Sequence, residues 1–326
     1  MSRLTTIRTS LDSVVLEFIL VVICVFLSFA APGFFTTDNL LNILRNVSMQ
    51  GVIALGMTMV IISGEIDLSV GSAVAFAGCF TAYLTGMLSG ESIGLPLTLS
   101  IPVAMVTALA TGFLLGVFAG LVRVRYRVPT FITTLALLTG LSGAAELITN
   151  GFPLTPFPEW YNFIGGGYLF GIPFPVIVFV CAFAVSQFLM NYTSFGRSVY
   201  AVGGNAEAAR LSGINVDIVK IVVLSITSTL AALSGIMVSS EIMSGTATAA
   251  KGWELDVIAA VIIGGTSLMG GSGRIWGTMI GVIFLGILIN GMTLLNVSEY
   301  WQHVVRGTLI LAAVLLNRLQ RQDGQR

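Results

Sequence analysis

The chain has 326 residues, of which 56% are hydrophobic and 9% charged, and its 15 basic and 15 acidic side chains cancel. Soluble domains carry roughly a quarter of their residues as charged ones, so this composition excludes a soluble enzyme or binding module and defines an integral membrane protein. Zero formal charge excludes the basic field that gathers nucleic acid, and Cys24, Cys79 and Cys181, each inside an apolar run, imply no disulfide framework.

A helical crossing needs about 20 mostly apolar residues, which leaves room for about ten spans and little else. In chain order, apolar runs predict spans at about 14–31, 46–64, 68–90, 95–122, 129–149, 172–190, 217–239, 254–269, 274–293 and 302–318. They must be helices, because only helices and closed barrels satisfy every backbone polar group in lipid and the period-two alternation of barrel strands is absent. The expected fold is an all-α integral membrane protein with broken or re-entrant segments and two pseudo-repeat halves. It forms one polytopic domain over 1–326 with its core at about 14–318. Arg3 and Arg8 precede the first run, but no small-residue cleavage site closes it, so no cleaved signal peptide is expected.

Between the second and third runs, GEIDLSVGS at 64–72 carries Glu65, Asp67 and Ser69. A carboxylate at the bilayer centre costs about 2.5 to 3.5 kcal/mol on insertion scales. Two readings stay open: a broken helix lining water, where irregular backbone is tolerated, or a short cytoplasmic turn. Gly112, Gly116 and Gly120, and later Gly273, Gly277 and Gly281, have the four-residue spacing that lets backbones approach closely, within one subunit or across a dimer seam. Residues 150–171, with Pro153, Pro156, Pro158, Trp160, Tyr161 and Tyr168, read as an outward segment whose aromatics form an interfacial belt.

Residues 195–217, FGRSVYAVGGNAEAARLSGINVD, are the one long polar interruption. Gly203 and Gly204 predict a turn before a short alanine-rich helix, and Arg197, Asn205, Glu207, Arg210 and Asp217 make the segment a surface suited to a partner. A second acidic place lies at 253–273, where Glu254 and Asp256 precede a run broken by Gly264-Gly265 and Gly270-Gly271. Glu-Ile-Asp-Leu at 65–68 and Glu-Leu-Asp-Val at 254–257 are alike, and paired interrupted segments in two halves point to a transport site at a repeat interface. Arg306, in the last run, should pair with a carboxylate or snorkel toward Glu299. His303, the single histidine, is assigned no chemistry.

With the N-terminus inside, Arg3, Arg8, Arg123, Arg125, Arg127, Arg197, Arg210, Lys220, Arg274, Arg318, Arg321 and Arg326 fall on the cytoplasmic side, and little more than Arg45 and Lys251 opposite. That satisfies the positive-inside rule and makes both termini, the Arg123 to Arg127 loop and the 195–217 loop cytoplasmic. GxxxxGK[ST], HExxH, CxxC and GxSxG motifs are absent, so no catalytic, cofactor-binding or metal site is expected.

Three ordered motifs carry a family resemblance: GEIDLSVGS at 64–72, GRSVYAVGGNAEAARLSGI at 196–214 and ELDVIAAVIIGGTSLMGGSGRIWGT at 254–278. Over about 39–317 the chain resembles the membrane permease subunits of bacterial ABC importers of the ribose, xylose and galactose type. Glu65 stands where that family usually has glycine, which adds a carboxylate to the expected pathway. The resemblance implies a permease in the bacterial cytoplasmic (inner) membrane that pairs with a second permease subunit, as a homodimer or a heterodimer. It would work with cytoplasmic ATP-binding subunits that hold ATP and Mg, and with an extracytoplasmic solute-binding protein. The docking loop would comprise Gly196, Arg197, Gly203, Gly204, Asn205, Glu207, Arg210 and Gly213. A pathway lined by Glu65, Asp67, Ser69, Glu254, Asp256 and Asn290 would exchange hydrogen bonds with the hydroxyls of a monosaccharide or related polyol. Two alternatives stay open: an ion-coupled secondary transporter using Glu65 or Asp67, and an ABC permease for a non-sugar solute such as an amino acid.

Overall fold

The computed structural model describes residues 15–91 and 93–324; Arg3, Arg8 and Arg326 lie outside them. The apolar runs fold into α1 (Val15–Ala30), α2 (Thr37–Ile62), α3 (Val70–Ser89), α4 (Leu97–Tyr126) and α5 (Thr130–Thr149). A 3-10 turn (Glu159–Asn162), α6 (Phe163–Gly166) and the hairpin β1 (Tyr168–Leu169) with β2 (Ile172–Pro173) follow. The remainder is α7 (Phe174–Tyr192), α8 (Ser194–Gly204), α9 (Ala206–Leu211), α10 (Val216–Glu241), α11 (Trp253–Ile263), α12 (Ile275–Leu294) and α13 (Glu299–Gly324). Seven of these, α2 to α5, α7, α10 and α12, are long and apolar enough to cross a membrane.

Polar residues at the run edges set where helices begin. Thr36 accepts the Asn39 amide ahead of α2, Thr193 the Gly196 amide ahead of α8, and Asn215 the Ile218 amide ahead of α10. Each satisfies an amide that the helix itself leaves unpaired, at about 1 kcal/mol relative to alanine.

The core is built on α2 and α10. In their most apolar stretches 83% and 67% of the residues are buried, against 22% in α5 and α7, so the first pair forms the interior and the second faces lipid. α10 packs on α4, α3 and α2, and α2 also meets α7, α11 and α12. The outward faces of the peripheral helices carry exposed Phe18 and Phe29 on α1, Phe113 and Phe118 on α4 and Phe188 on α7, a surface suited to acyl chains and not to water.

Both glycine stripes are consumed inside the chain. A Cβ on Gly116 would come within 2.5 Å of Ser225 Cα, and one on Gly120 within 2.7 Å of Ile221 Cα, so α4 and α10 touch backbone to backbone. Gly277 and Gly281 lie in the same way against Gly264 and the Ala260 carbonyl of α11. Neither stripe is left for a seam between subunits.

Helix α2 and helix α11 end in the same device. In Val60-Ile61-Ile62-Ser63-Gly64-Glu65 the Gly64 amide bonds the Ile61 carbonyl at 3.0 Å and the Glu65 amide bonds the Val60 carbonyl at 3.1 Å. In Val261-Ile262-Ile263-Gly264-Gly265-Thr266 the Gly265 amide bonds Ile262 at 2.9 Å and the Thr266 amide bonds Val261 at 3.1 Å. Gly64 and Gly265 hold φ of 81° and 88°, the left-handed conformation this cap requires.

Several expectations need correction. Glu-Ile-Asp-Leu and Glu-Leu-Asp-Val differ in backbone, since residues 65–69 lie in no regular element whereas 254–257 form the first turn of α11. The eighth run is helical only as far as Ile263. Arg123 and Arg125 are no loop, because α4 continues to Tyr126 and stops at Arg127, whose φ is 55°. Gly203 and Gly204 finish α8, and the turn falls on extended Asn205. Tyr161 is fully buried, with its hydroxyl at 2.9 Å from Ser239 Oγ, while Trp160 and Tyr168 are exposed.

Candidate functional site

The 195–217 segment folds into a hook. Helix α8 buries Gly196, Val199 and Val202, three residues apart, against the bundle. Asn205 then reverses the chain, its Oδ1 accepting the amides of Glu207 and Ala208 at 3.0 Å each to start α9. Gly213, with φ of 84°, closes α9. Of the docking residues expected from sequence, Arg197, Gly204, Asn205, Glu207, Arg210 and Gly213 are exposed, Gly196 is buried and Gly203 is half-buried. Arg210 approaches Asp217 at 3.9 Å across solvent, a contact worth little by itself.

Gly203 is half-buried because the hook sits directly on both helix breaks. A Cβ on Gly203 would overlap the Ile62 carbonyl oxygen, the last of α2. That same carbonyl accepts the Gly271 amide at 2.8 Å. A Cβ on Gly270 would lie 2.8 Å from the Gly203 carbonyl oxygen and 3.1 Å from Gly64 Cα. Helix α8 also donates the Tyr200 hydroxyl to the Gly273 carbonyl at 3.0 Å. The hook, the α2 break and the α11 break therefore meet through backbone, at glycines where no side chain cushions the contact.

Beside this junction the irregular 65–69 stretch is pinned by side chains. Glu65 is buried and takes Lys220 at 2.5 Å, Arg123 at 3.0 Å and the Thr130 hydroxyl at 2.5 Å. Burial alone would raise the Glu65 carboxyl, but the hydrogen bonds from Lys220 and Thr130 and the charges of Lys220 and Arg123 outweigh it and hold its pKa below the ordinary glutamate range. Thr134 accepts the Leu68 amide at 3.1 Å. Asp67 accepts both the amide and the hydroxyl of Ser69, at 2.8 and 2.6 Å, as α3 begins. Every one of these contacts satisfies a polar group that irregular backbone would otherwise strand in an apolar interior.

The six residues expected along a pathway do not converge on one cavity. Asp67 and Ser69 share one small network, and Glu254 comes close to it, its carboxylate lying against Gly71 in the first turn of α3. Glu65 belongs to the cation cluster. Asp256 is held by Arg306 at 2.9 Å, so the arginine pairs with this carboxylate and does not snorkel to Glu299. Asn290 exchanges hydrogen bonds with Asn39 at 2.8 and 3.1 Å. Among the described residues, no three His, Cys, Asp or Glu side chains converge as metal ligands.

Lys220, Tyr200, Thr130 and the Gly270-Gly271 pair were not singled out as site residues from sequence. Lys220 carried a signal: it is one of only two lysines and lies just inside an apolar run, where an amine needs a partner. Tyr200 and Gly271 carried none, since their contacts are long-range and to backbone.

Lipid-facing helices around a buried pair, with a polar hook seated on two helix breaks, define a polytopic membrane protein of the transporter class. Residues 39–314 match the family model described as branched-chain amino acid transport system / permease component, and the chain belongs to that family. It is 44% identical over 303 residues to the ribose import permease protein RbsC of Bacillus subtilis (strain 168), covering 92% of this chain and 90% of that protein. It is 42% identical over 302 residues to RbsC of Escherichia coli (strain K12), 91% of each chain. To the L-arabinose ABC transporter permease protein AraH of Azospirillum brasilense the identity is 34% over 297 residues, 91% of this chain and 85% of that protein. No solved structure matches the chain significantly.

Proposed function

We propose that this chain is the transmembrane permease subunit of a binding-protein-dependent ABC importer that moves a monosaccharide or related polyol across the bacterial cytoplasmic membrane. The ribose and L-arabinose permeases among its relatives support the sugar class over an amino acid. The single observation that carries the mechanism is the backbone junction of Gly203 with Ile62, Gly270 and Gly271. An ATP-binding subunit gripping the exposed residues Arg197, Asn205, Glu207 and Arg210 would move both helix breaks together, because no flexible side chain stands between them and the hook.

In this reading α1, α11 and α13 join the seven long apolar helices to give ten crossings, with both termini and the hook in the cytoplasm. The shared caps at Gly64 and Gly265 support two related halves. ATP and Mg stay on the partner subunit, a soluble binding protein delivers the sugar on the outer side, and a second permease copy completes the pathway. Asp67, Ser69 and Glu254, which lie near one another at the start of α3, are the pathway residues best placed to meet a hydroxyl together. An ion-coupled transporter is less suited to the geometry, since Glu65 is already neutralised by two cations.

Reconstitution with the ATP-binding subunit and the solute-binding protein tests this directly. Sugar uptake should require all three components and ATP, and a bifunctional cross-linker at Glu207→Cys should capture the ATP-binding subunit. Solute accumulation by the isolated chain in liposomes under an ion gradient would overturn the proposal.

A further inference from the structure

Where α4 ends, α9 passes and α10 begins, the chain forms an open cleft of about 450 Å³. Arg123, Arg127, Arg210 and Lys220 line it, with Asp217 as its single acidic wall residue. Glu65 and Asp217 offset two of the four cations. Two positive charges are left, and Arg127 has no ionic partner among the described residues.

Its setting at the ends of membrane-length helices sets this cleft apart from a merely solvated basic surface. Its walls are the ends of two long apolar helices, and the same helix ends carry exposed Leu121, Tyr126 and Ile218, apolar surface suited to acyl chains. Ala206 and Arg210 of α9 line it, and Arg210 also belongs to the hook surface offered to the ATP-binding subunit.

We infer that this cleft binds a phosphate-bearing anion, held by the Arg127 and Arg210 guanidiniums at the membrane edge. Guanidinium matches phosphate geometry in a bidentate manner, and basic pockets between helix ends on the cytoplasmic side are suited to anionic headgroups. The phosphate can come from a phospholipid headgroup or from free phosphate.

The purified chain in detergent, titrated with phosphatidylglycerol, phosphatidylcholine or inorganic phosphate and read by native mass spectrometry, tests this. Phosphatidylglycerol should be retained at least about tenfold more tightly than phosphatidylcholine, since two net charges favour it. Competition by millimolar inorganic phosphate would assign the site to the free anion, and its failure to compete would assign it to the headgroup; either supports the site. Arg127→Asn, which keeps a residue tolerant of left-handed backbone, combined with Arg210→Gln should erase the preference. Asp217→Asn should strengthen it several-fold, a change of sign that misfolding would not produce. Melting temperature in detergent serves as the check that each variant is folded. Equal retention of both lipids by the unaltered chain, or unchanged preference in the double variant, overturns the inference. So does a double variant whose only defect is in association with the ATP-binding subunit, because the cleft then belongs to the protein partner.

Discussion

The two helix breaks, at Gly64 and at Gly265, share one backbone and differ in what holds them. Each follows Val-Ile-Ile, each turns on a glycine in the left-handed region and each closes with the same pair of amide bonds. After Gly64 the chain enters a cage of charge: Glu65 ties it to α4 and α10 through Arg123 and Lys220, and to α5 through Thr130. After Gly265 no charge follows until Arg274, and the buried Thr266 hydroxyl finds no partner. This second segment is held by backbone to Ile62 and by Tyr200 to the hook. The first break is therefore anchored in the bundle, and the second rides on the hook. A displacement of α8 reaches both segments through backbone, the first at the Ile62 carbonyl and the second at Gly270 and Gly271, but only the first is also restrained by the charge cage.

Gly203→Ala should break this arrangement most severely. Its new methyl group would have to displace backbone, the Ile62 carbonyl, which packed structure accommodates at about 3 kcal/mol or more. ATP-driven uptake in proteoliposomes should fall to background, with a lowered melting temperature in detergent. The adjacent Gly204→Ala is the control, since a Cβ there meets nothing within 4 Å, and its stability should be unchanged. Equal stability of the two variants would show that the junction is looser than its backbone contacts require.

Glu65→Gln tests the anchored side. It strands the Lys220 amine and the Arg123 guanidinium beside a neutral amide, and removing one partner of a buried ion pair costs about 3 kcal/mol or more. Arg123 is partly solvated, which keeps the effect at the lower end. The pH dependence has a definite sign. The folded pKa of Glu65 lies below its ordinary value of 4.5, so the stabilisation is complete above about that pH and is lost as pH falls through the lower, folded value. Melting temperature should decline on acidification below about pH 4.5 in the unaltered chain, and Glu65→Gln should flatten that decline.

Much of the fold was legible because lipid imposes simple arithmetic: apolar length and glycine or charged interruptions place most helices within a few residues. The hook was legible as a polar segment, and the glycine spacing on α4 as close packing. What escaped was the identity of partners. The likeness of Glu-Ile-Asp-Leu to Glu-Leu-Asp-Val suggested an equivalence, but the first four residues lie outside any helix and the second four open α11, whereas Val-Ile-Ile-X-Gly forms the same cap after α2 and after α11. Gly203 reads as a turn residue in one dimension because its true requirement, room for a carbonyl oxygen, comes from a residue 141 positions earlier, Ile62. Glu65 reads as a pathway residue because nothing local announces that Lys220 and Arg123 will fold against it.

Tyr200→Phe makes the smallest and most selective change, since it removes only the hydroxyl that bonds the Gly273 carbonyl and leaves the ring in place. A neutral hydrogen bond of this kind contributes about 0.5 to 1.5 kcal/mol, so the melting temperature should fall by a few degrees at most. The more telling readout is the ratio of sugar transported to ATP hydrolysed in the assembled importer. If the second break follows the hook through this bond, the ratio should drop while ATP hydrolysis continues, because the ATP-binding subunit still grips an intact hook that now drags one contact fewer. An unchanged ratio would assign the whole of the second break's attachment to the Gly203, Ile62 and Gly271 backbone and leave Tyr200 as packing alone.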